Sequence, residues 1–138
     1  MAQRKNEARL PELAEFADWF GEIADEIDAV QGLLSERLSD DAVILTEQMS
    51  SIEAWHARMN TLLADANSYL DLAQHRELMT IDRELTVLER ETILNAKVVT
   101  ERRVRNILLG LSESIRNRMI LGMSSRKQSA GERSHHAI

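Results

Sequence analysis

Apolar residues recur along most of this chain at spacings of three and four, which is the periodicity of a helix that buries one side. The first and most regular stripe consists of Leu10, Leu13, Phe16, Phe20, Ile23, Ile27, Val30, Leu34 and Leu38. It predicts a helix over residues 10–38, and Pro11 suits the first turn of that helix because an N–H is not needed there.

Two further stripes predict two further helices. The segment Ser39-Asp40-Asp41 offers N-cap side chains for a second helix over residues 41–78. A turn or kink near residues 79–82, with Thr80 or Asp82 as the cap, leads into a third helix over residues 82–122. The periodicity ends at Gly122, so residues 1–124 are expected to form a single helical domain and residues 125–138 a flexible polar tail.

Composition supports an all-α fold. The chain has one proline, five glycines and 4% aromatic residues among 138. Three helices of this length predict an elongated helical hairpin or coiled-coil-like bundle, and such narrow stripes leave little core per residue, so we expect a homo-oligomer. The residues expected to pack between helices or between copies are Phe16, Phe20, Ile23, Ile27, Trp55, Met59, Leu62, Tyr69, Leu108, Leu111 and Ile115.

Charge is distributed unevenly along the chain, although its net value is only −6. Residues 7–54 hold thirteen acidic and two basic residues, whereas residues 97–127 hold eight basic and two acidic ones. In one interpretation the acidic first helix packs along the basic last helix, within one chain or between chains, and the charges set the orientation. In the other, the basic segment binds nucleic-acid phosphates, and the acidic segment shields it or contacts a basic protein.

The second interpretation names a set of candidate DNA-binding residues, which are Lys97, Arg102, Arg103, Arg105, Arg116, Arg118, Arg126 and Lys127. They resemble a diffuse strip that contacts the backbone rather than a site that reads bases. A third possibility is an inhibitor whose acidic helix acts as a decoy for a nucleic-acid-binding protein, but no motif supports it.

Motifs of catalysis and of cofactor binding are missing from the sequence. There is no cysteine, no glycine-rich phosphate loop and no HExxH pair. Glu53 and His56 share a helix face, yet the second such pair that a di-iron bundle needs is missing. We therefore expect a protein that is not an enzyme and that holds no metal or cofactor. No apolar run reaches eighteen residues and no signal peptide is evident, so we expect no contact with a membrane.

Two blocks of the sequence carry a resemblance. The first reads W-H-A-R-M-N-T-L-L-A-D-A-N-S-Y-L-D-L from Trp55 to Leu72, and the second reads R-N-I-L-L-G-L-S-E-S-I-R-N-R-M from Arg105 to Met119. Together they resemble a group of small helical proteins of bacteriophages and prophages. That group is in turn similar to phage recombination mediators of the UvsY type. The resemblance covers residues 52–127, and the acidic first helix lies outside it.

The resemblance implies an oligomeric accessory protein of homologous recombination that binds single-stranded DNA and helps to load a recombinase. Its location would be the cytoplasm of a bacterial host, or a virion. The basic and aromatic DNA-binding element of the mediators has no clear counterpart here, so binding would depend on the arginines near the second block. The alternative is a structural or adaptor coiled-coil protein of a phage virion or assembly complex, with other virion proteins as partners and no DNA binding.

Overall fold

The computed structural model describes the backbone of residues 13–136, with side chains for residues 15–125 and for Lys127. This part of the chain contains no strand and four α-helices, which confirms the all-α prediction. The helices are α1 (Leu13–Ser35), α2 (Ala42–Thr80), α3 (Val87–Lys97) and α4 (Val99–His136). Residues 10–12, the predicted start of the first helix, lie outside the described residues.

The second predicted helix agrees with α2 within two residues at each end. Asp41 is its N-cap, and its Oδ1 accepts hydrogen bonds from the backbone N–H groups of Val43 at 2.9 Å and Ile44 at 3.1 Å. These bonds satisfy two of the donors that the first turn of a helix leaves unpaired.

The single third helix predicted over residues 82–122 is wrong, because the chain bends at Val98 and forms α3 and α4 instead. The helical hydrogen bonding is almost continuous across the bend: Val98 N–H donates to Leu94 O at 3.2 Å, and Arg102 N–H to Val98 O at 3.0 Å. Val98 itself is completely buried in a small cluster with Leu70 and Ala73 of α2. The interruption at Val98 thus coincides with the contact of Val98 and Leu94 with the last turns of α2.

The N-cap before this region is Thr86, and neither Thr80 nor Asp82 has that role. Thr86 Oγ1 accepts from Glu89 N–H at 3.2 Å, as an N-cap side chain does, and donates to Glu89 Oε1 at 3.1 Å. Thr80 is the last residue of α2, and the Asp82 side chain accepts from Glu84 N–H within the turn. The turn between α2 and α3 consequently occupies residues 81–86.

The predicted helix end at Gly122 is also wrong, since α4 continues to His136. Gly122, followed by Met123 and the serines 124 and 125, has the composition of a helix end, but no glycine in the described chain has a positive φ. Gly122 is instead a buried interior residue of α4, where the side chain of Met49 packs against its backbone. Packing against α2 thus explains this glycine better than helix termination does.

Helices α1, α2 and α4 form a three-helix bundle in which both neighbours of α2 are antiparallel to it. Phe16 meets Tyr69, and Glu26 meets Arg58, which sets the direction of α1. Met49 packs on Gly122, and Ser112 bonds to Asn60, which sets the direction of α4. With 39 residues, α2 is about 58 Å long, so the bundle is elongated.

The core extends along this bundle as one main cluster and two smaller clusters at the ends. The main cluster consists of Phe16, Ile23, Ile27, Val30, Met59, Leu62, Ala66, Val104, Leu108, Leu111 and Ile115. Of the predicted packing residues, Phe20, Trp55 and Tyr69 are half-buried at its edge. The other eight belong to the main cluster itself.

Two glycines of α4 provide a matched pair for testing this packing. A Cβ at Gly110 would meet no other atom within 4 Å, whereas a Cβ at Gly122 would collide with the Met49 thioether. We expect Gly110→Ala to stabilise the fold by about 0.5–1 kcal/mol, because alanine is the better helix former. Gly122→Ala should destabilise it by about 1–3 kcal/mol through overpacking. Urea unfolding measures both, and equal effects would contradict this packing of α2 on α4.

Candidate nucleic-acid interface

The predicted DNA-binding side chains differ in their exposure. Lys97, Arg103, Arg116 and Lys127 are exposed, and Arg102, Arg105 and Arg118 are half-buried. Arg126 lies on α4, but its side chain is outside the described part of the chain. Exposure alone therefore does not define one surface, and the side of the helix that each residue occupies decides which of them can act together.

Arg118 has a structural partner. Its guanidinium donates from both terminal nitrogens to the backbone, to the carbonyl oxygens of Leu34 and Glu36. These carbonyls lie at the carboxyl end of α1, where the last turn leaves acceptors unpaired and the helix dipole is negative. Arg118 thus caps α1 from α4, so we do not count it among the available phosphate ligands.

Four of the remaining basic residues share one side of α4, which we call the basic flank: Arg102, Arg105, Arg116 and Lys127. At about 100° per residue their directions fall within about 60° of one another. Arg105, Arg116 and Lys127 follow each other at intervals of eleven residues, which is almost three whole turns or about 16 Å. This spacing is present in the sequence, where the strip was interpreted as diffuse.

The basic flank faces away from the acidic helix. Two side chains that are two positions apart on a helix differ in direction by about 200°, so Arg116 is directed almost opposite to Arg118. Arg118 is the residue that reaches α1. The basic flank and the contact with α1 consequently lie on different sides of α4, although α1 and α4 pack together within one chain.

Arg103 and Lys97 lie apart from the basic flank. Arg103 points about 100° away from Arg102, and both line a shallow pocket on the outer surface of α4 together with Val99, Asn106 and Ile107. Arg102 Nη2 also donates to Asn95 Oδ1 of α3 at 2.9 Å. This bond leaves Arg102 with other N–H donors, so it can contact a phosphate as well.

Acidic side chains of α1 are exposed or pair with α2. Glu26 accepts two hydrogen bonds from the Arg58 guanidinium, from Nε at 2.7 Å and from Nη2 at 3.0 Å. This bidentate bond lowers the pKa of Glu26. Asp18, Glu22 and Asp25 are exposed on the outer side of α1. The contact between α1 and α4 thus includes the Arg118 cap, whereas the Glu26 ion pair joins α1 to α2.

Four aromatic residues of the described chain, Phe16, Trp19, Phe20 and Tyr69, form a cluster between α1 and α2. Tyr69 lies 5.4 Å from Phe16 in an edge-on contact and 4.9 Å from Trp19. Burial and the nearby carboxylates of Glu15, Asp65 and Glu22 raise the pKa of Tyr69. These rings hold the first half of α1 on α2 and pack against the main core cluster.

The described residues include no group of three His, Cys, Asp or Glu side chains placed to hold a metal ion. None of the four helices has the combination of length and hydropathy that crossing a bilayer requires. The basic flank is therefore the strongest candidate site in the described chain.

No protein-family model, curated protein or solved structure matches this chain.

Substitutions at Arg118 and Arg116 compare the stability contributed by an arginine that caps α1 with that of an exposed arginine of the basic flank. We expect Arg118→Met to destabilise the fold by about 1–3 kcal/mol, because it leaves the carbonyls of Leu34 and Glu36 without their donor. Arg116→Met removes the same charge from an exposed position, and its effect should stay within about 0.5 kcal/mol. Thermal and urea unfolding measure both. Equal losses would argue against the cap.

The Glu26–Arg58 pair predicts a pH dependence. Since folding lowers the pKa of Glu26, its stabilisation is complete above the unfolded pKa and is lost as pH falls through the folded pKa. Between about pH 6 and about pH 3 the wild type should lose more stability than Glu26→Gln, by up to about 1 kcal/mol. Asp25→Asn, which removes an exposed carboxylate, is the control. A Glu26→Gln profile parallel to that of the wild type would contradict this role.

Proposed function

We propose that this protein is a non-enzymatic accessory protein of homologous recombination that binds single-stranded DNA along the basic flank of α4, self-associates, and assists recombinase loading. The observation that carries the DNA part is the alignment of Arg105, Arg116 and Lys127 on the side of α4 turned away from α1. A protein that only used these charges to hold its acidic helix would direct them towards that helix.

The geometry suits a backbone contact of low specificity. Charges about 16 Å apart can each meet a phosphate of a flexible single strand, and they supply no fork that reads a base edge. With four phosphate contacts, a plot of the logarithm of the association constant against the logarithm of the salt concentration should have a slope of about −3. Binding is consequently expected to be strong only at low ionic strength.

The recombination part of the proposal is supported by the resemblance of the two sequence blocks. These blocks lie side by side in the bundle, since Ser112 Oγ of the second donates to Asn60 Oδ1 of the first at 2.6 Å. Half of the basic flank, Arg105 and Arg116, belongs to the second block. The shared segments thus contain both the central packing and part of the proposed DNA contact.

A second candidate is a structural or adaptor protein of a phage particle, and exposed apolar side chains favour it. Leu78, Met79, Val87 and Leu88 around the turn between α2 and α3 are between half and three-quarters exposed. Surfaces of this kind commonly contact another protein. This candidate predicts self-association or partner binding without any affinity for DNA.

Fluorescence anisotropy with a labelled oligothymidine separates the two candidates. We expect salt-dependent binding by the wild type, weakened at least about tenfold by the triple change Arg105→Gln, Arg116→Gln and Lys127→Gln. The salt slope should become about two units shallower, because three phosphate contacts are lost. The matched control changes Arg37, Arg83 and Lys97, which are exposed and lie outside α4, to Gln.

The control variant has the same net charge as the flank variant, so it should bind nearly as well as the wild type. Equal weakening by both variants would reject the basic flank as the site. Absence of salt-dependent binding by the wild type would reject the DNA function and leave the adaptor. The recombinase part is tested separately, by whether the protein accelerates strand exchange on DNA covered by single-strand-binding protein.

A further inference from the structure

Helix α1 exposes acidic side chains on the side opposite to its buried one. Asp18, Glu22 and Asp25 are exposed, and at about 100° per residue their directions fall within about 60° of one another. Ile23 and Ile27 belong to the main core cluster, and Asp25 lies two positions from each, so it points about 160° away from both. We call Asp18, Glu22 and Asp25 the acidic face. It lies on the outer surface of the bundle.

Two glycines lie on the same side of α1 as the acidic face. Gly21 and Gly32 point within about 40° of Asp25, and a Cβ at either position would meet no other atom within 4 Å. Packing within the chain therefore explains neither glycine, although each weakens the helix. Glycine permits another molecule to approach the backbone closely. The two glycines are about 16 Å apart along the helix, which is the interval between Arg105 and Arg116 of the basic flank.

The acidic face and the basic flank cannot meet within one chain. Helix α4 contacts α1 on its buried side, where Ile27 and Leu108 share one core cluster and Arg118 caps the end of α1. The acidic face points the opposite way, and the basic flank lies on another side of α4 from Arg118. Each surface is consequently available only to a second molecule.

We propose that the acidic face of one copy binds the basic flank of a second copy, with α1 of the first packed along α4 of the second. The two surfaces are opposite in charge, and both are rows along the outside of a helix. The uncovered glycines let the arginine side chains of the flank reach the surface of α1 at the interval that the flank itself has. The contact joins unlike surfaces, so each copy in a pair retains one free surface and association can continue beyond two chains.

The contact is weak and sensitive to salt. Exposed ion pairs contribute little individually, and at about 0.1 M salt their attraction is screened over about 10 Å. We therefore expect association at about 20 mM salt and dissociation by about 300 mM.

The second copy occupies the surface that we propose for DNA, so this inference rests on the basic flank of the proposed function and adds a regulation to it. A single strand of DNA carries a phosphate on every nucleotide and competes for the same cations. Self-association thus covers the flank until single-stranded DNA displaces the acidic face. The contact between copies itself does not require that DNA binds.

Sedimentation velocity of the full chain at about 20 mM salt, without DNA, tests the contact by complementation. The acidic-face variant carries Asp18→Asn, Glu22→Gln and Asp25→Asn, and its partner is the flank variant of the DNA experiment. We expect the wild type to exceed the mass of one 15.7 kDa chain as its concentration rises, and each variant alone to remain a monomer. An equimolar mixture should form a pair limited to two chains, because one intact acidic face and one intact flank remain.

Charge-matched variants separate this contact from an effect of net charge. Both variants of the mixture remain net negative, so their pairing cannot come from opposite net charges. Glu47→Gln, Glu84→Gln and Glu91→Gln together remove three exposed carboxylates outside α1, and this acid control should associate like the wild type. A wild type that is monomeric at about 100 μM, a mixture that does not pair, or an acid control that is monomeric would overturn the proposal.

Bulk at the glycines tests the close approach of the two helices. The double variant Gly21→Gln and Gly32→Gln retains every charge and improves helix propensity. It should nevertheless weaken association at least about threefold with helical content unchanged, because the new side chains hold α4 of the second copy away. Association as strong as that of the wild type would contradict this packing.

Competition with DNA is tested by anisotropy with a labelled oligothymidine at low salt and a protein concentration at which the wild type associates. The acidic-face variant should bind at least about threefold more tightly than the acid control, since both have the same net charge and only the first lacks the competing surface. Equal affinities would contradict the competition. A wild type that associates without binding DNA would retain the contact and reject the DNA function, whereas a monomer that binds DNA would do the reverse.

Discussion

Between α2 and α4 the side chains of Met59, Leu62, Leu108 and Ile115 are completely shielded from solvent, and the other contacts of the bundle depend on this one. Burial of each is worth about 1.5–3 kcal/mol, and together they hold two long helices antiparallel. That arrangement creates the groove that α1 occupies and fixes the register in which Gly122 faces Met49. It also decides which residues of α4 remain on the surface.

The consequence for charge is that the Glu26 ion pair of the acidic helix is made with α2, and the Arg118 contact of the basic helix is made with main-chain carbonyls of α1. An exposed ion pair contributes only about 0–1 kcal/mol, so cancelling the basic flank would add little to stability. With Arg116 and Lys127 exposed and Arg102 and Arg105 half-buried, the flank retains a positive field that attracts anions.

Sequence reasoning predicted what depends on local periodicity. The stripe through Ile23 and Ile27 and the cap at Asp41 both depend on residues within one or two turns, and the helices there agree with the pattern. The bend at Val98 was missed because apolar spacing is compatible with a helix on both sides of it, and only packing on Leu70 and Ala73 reveals it. Arg118 lies 82 positions from Glu36 and 84 positions from Leu34 along the chain, so no local pattern could indicate that it caps α1.

The interval of eleven between Arg105, Arg116 and Lys127 is a different case, because the sequence contained it and the structure gave it meaning. A spacing near a whole number of turns aligns charges only if the helix is continuous over the entire interval. The predicted end at Gly122 placed Lys127 beyond the helix, so the three residues could not be placed on one line. Once packing on Met49 explains Gly122, α4 continues past Lys127 and the flank becomes a single straight feature. The core contact that contradicts the predicted helix end is therefore also the reason that the proposed DNA-binding residues can be placed on one side of α4.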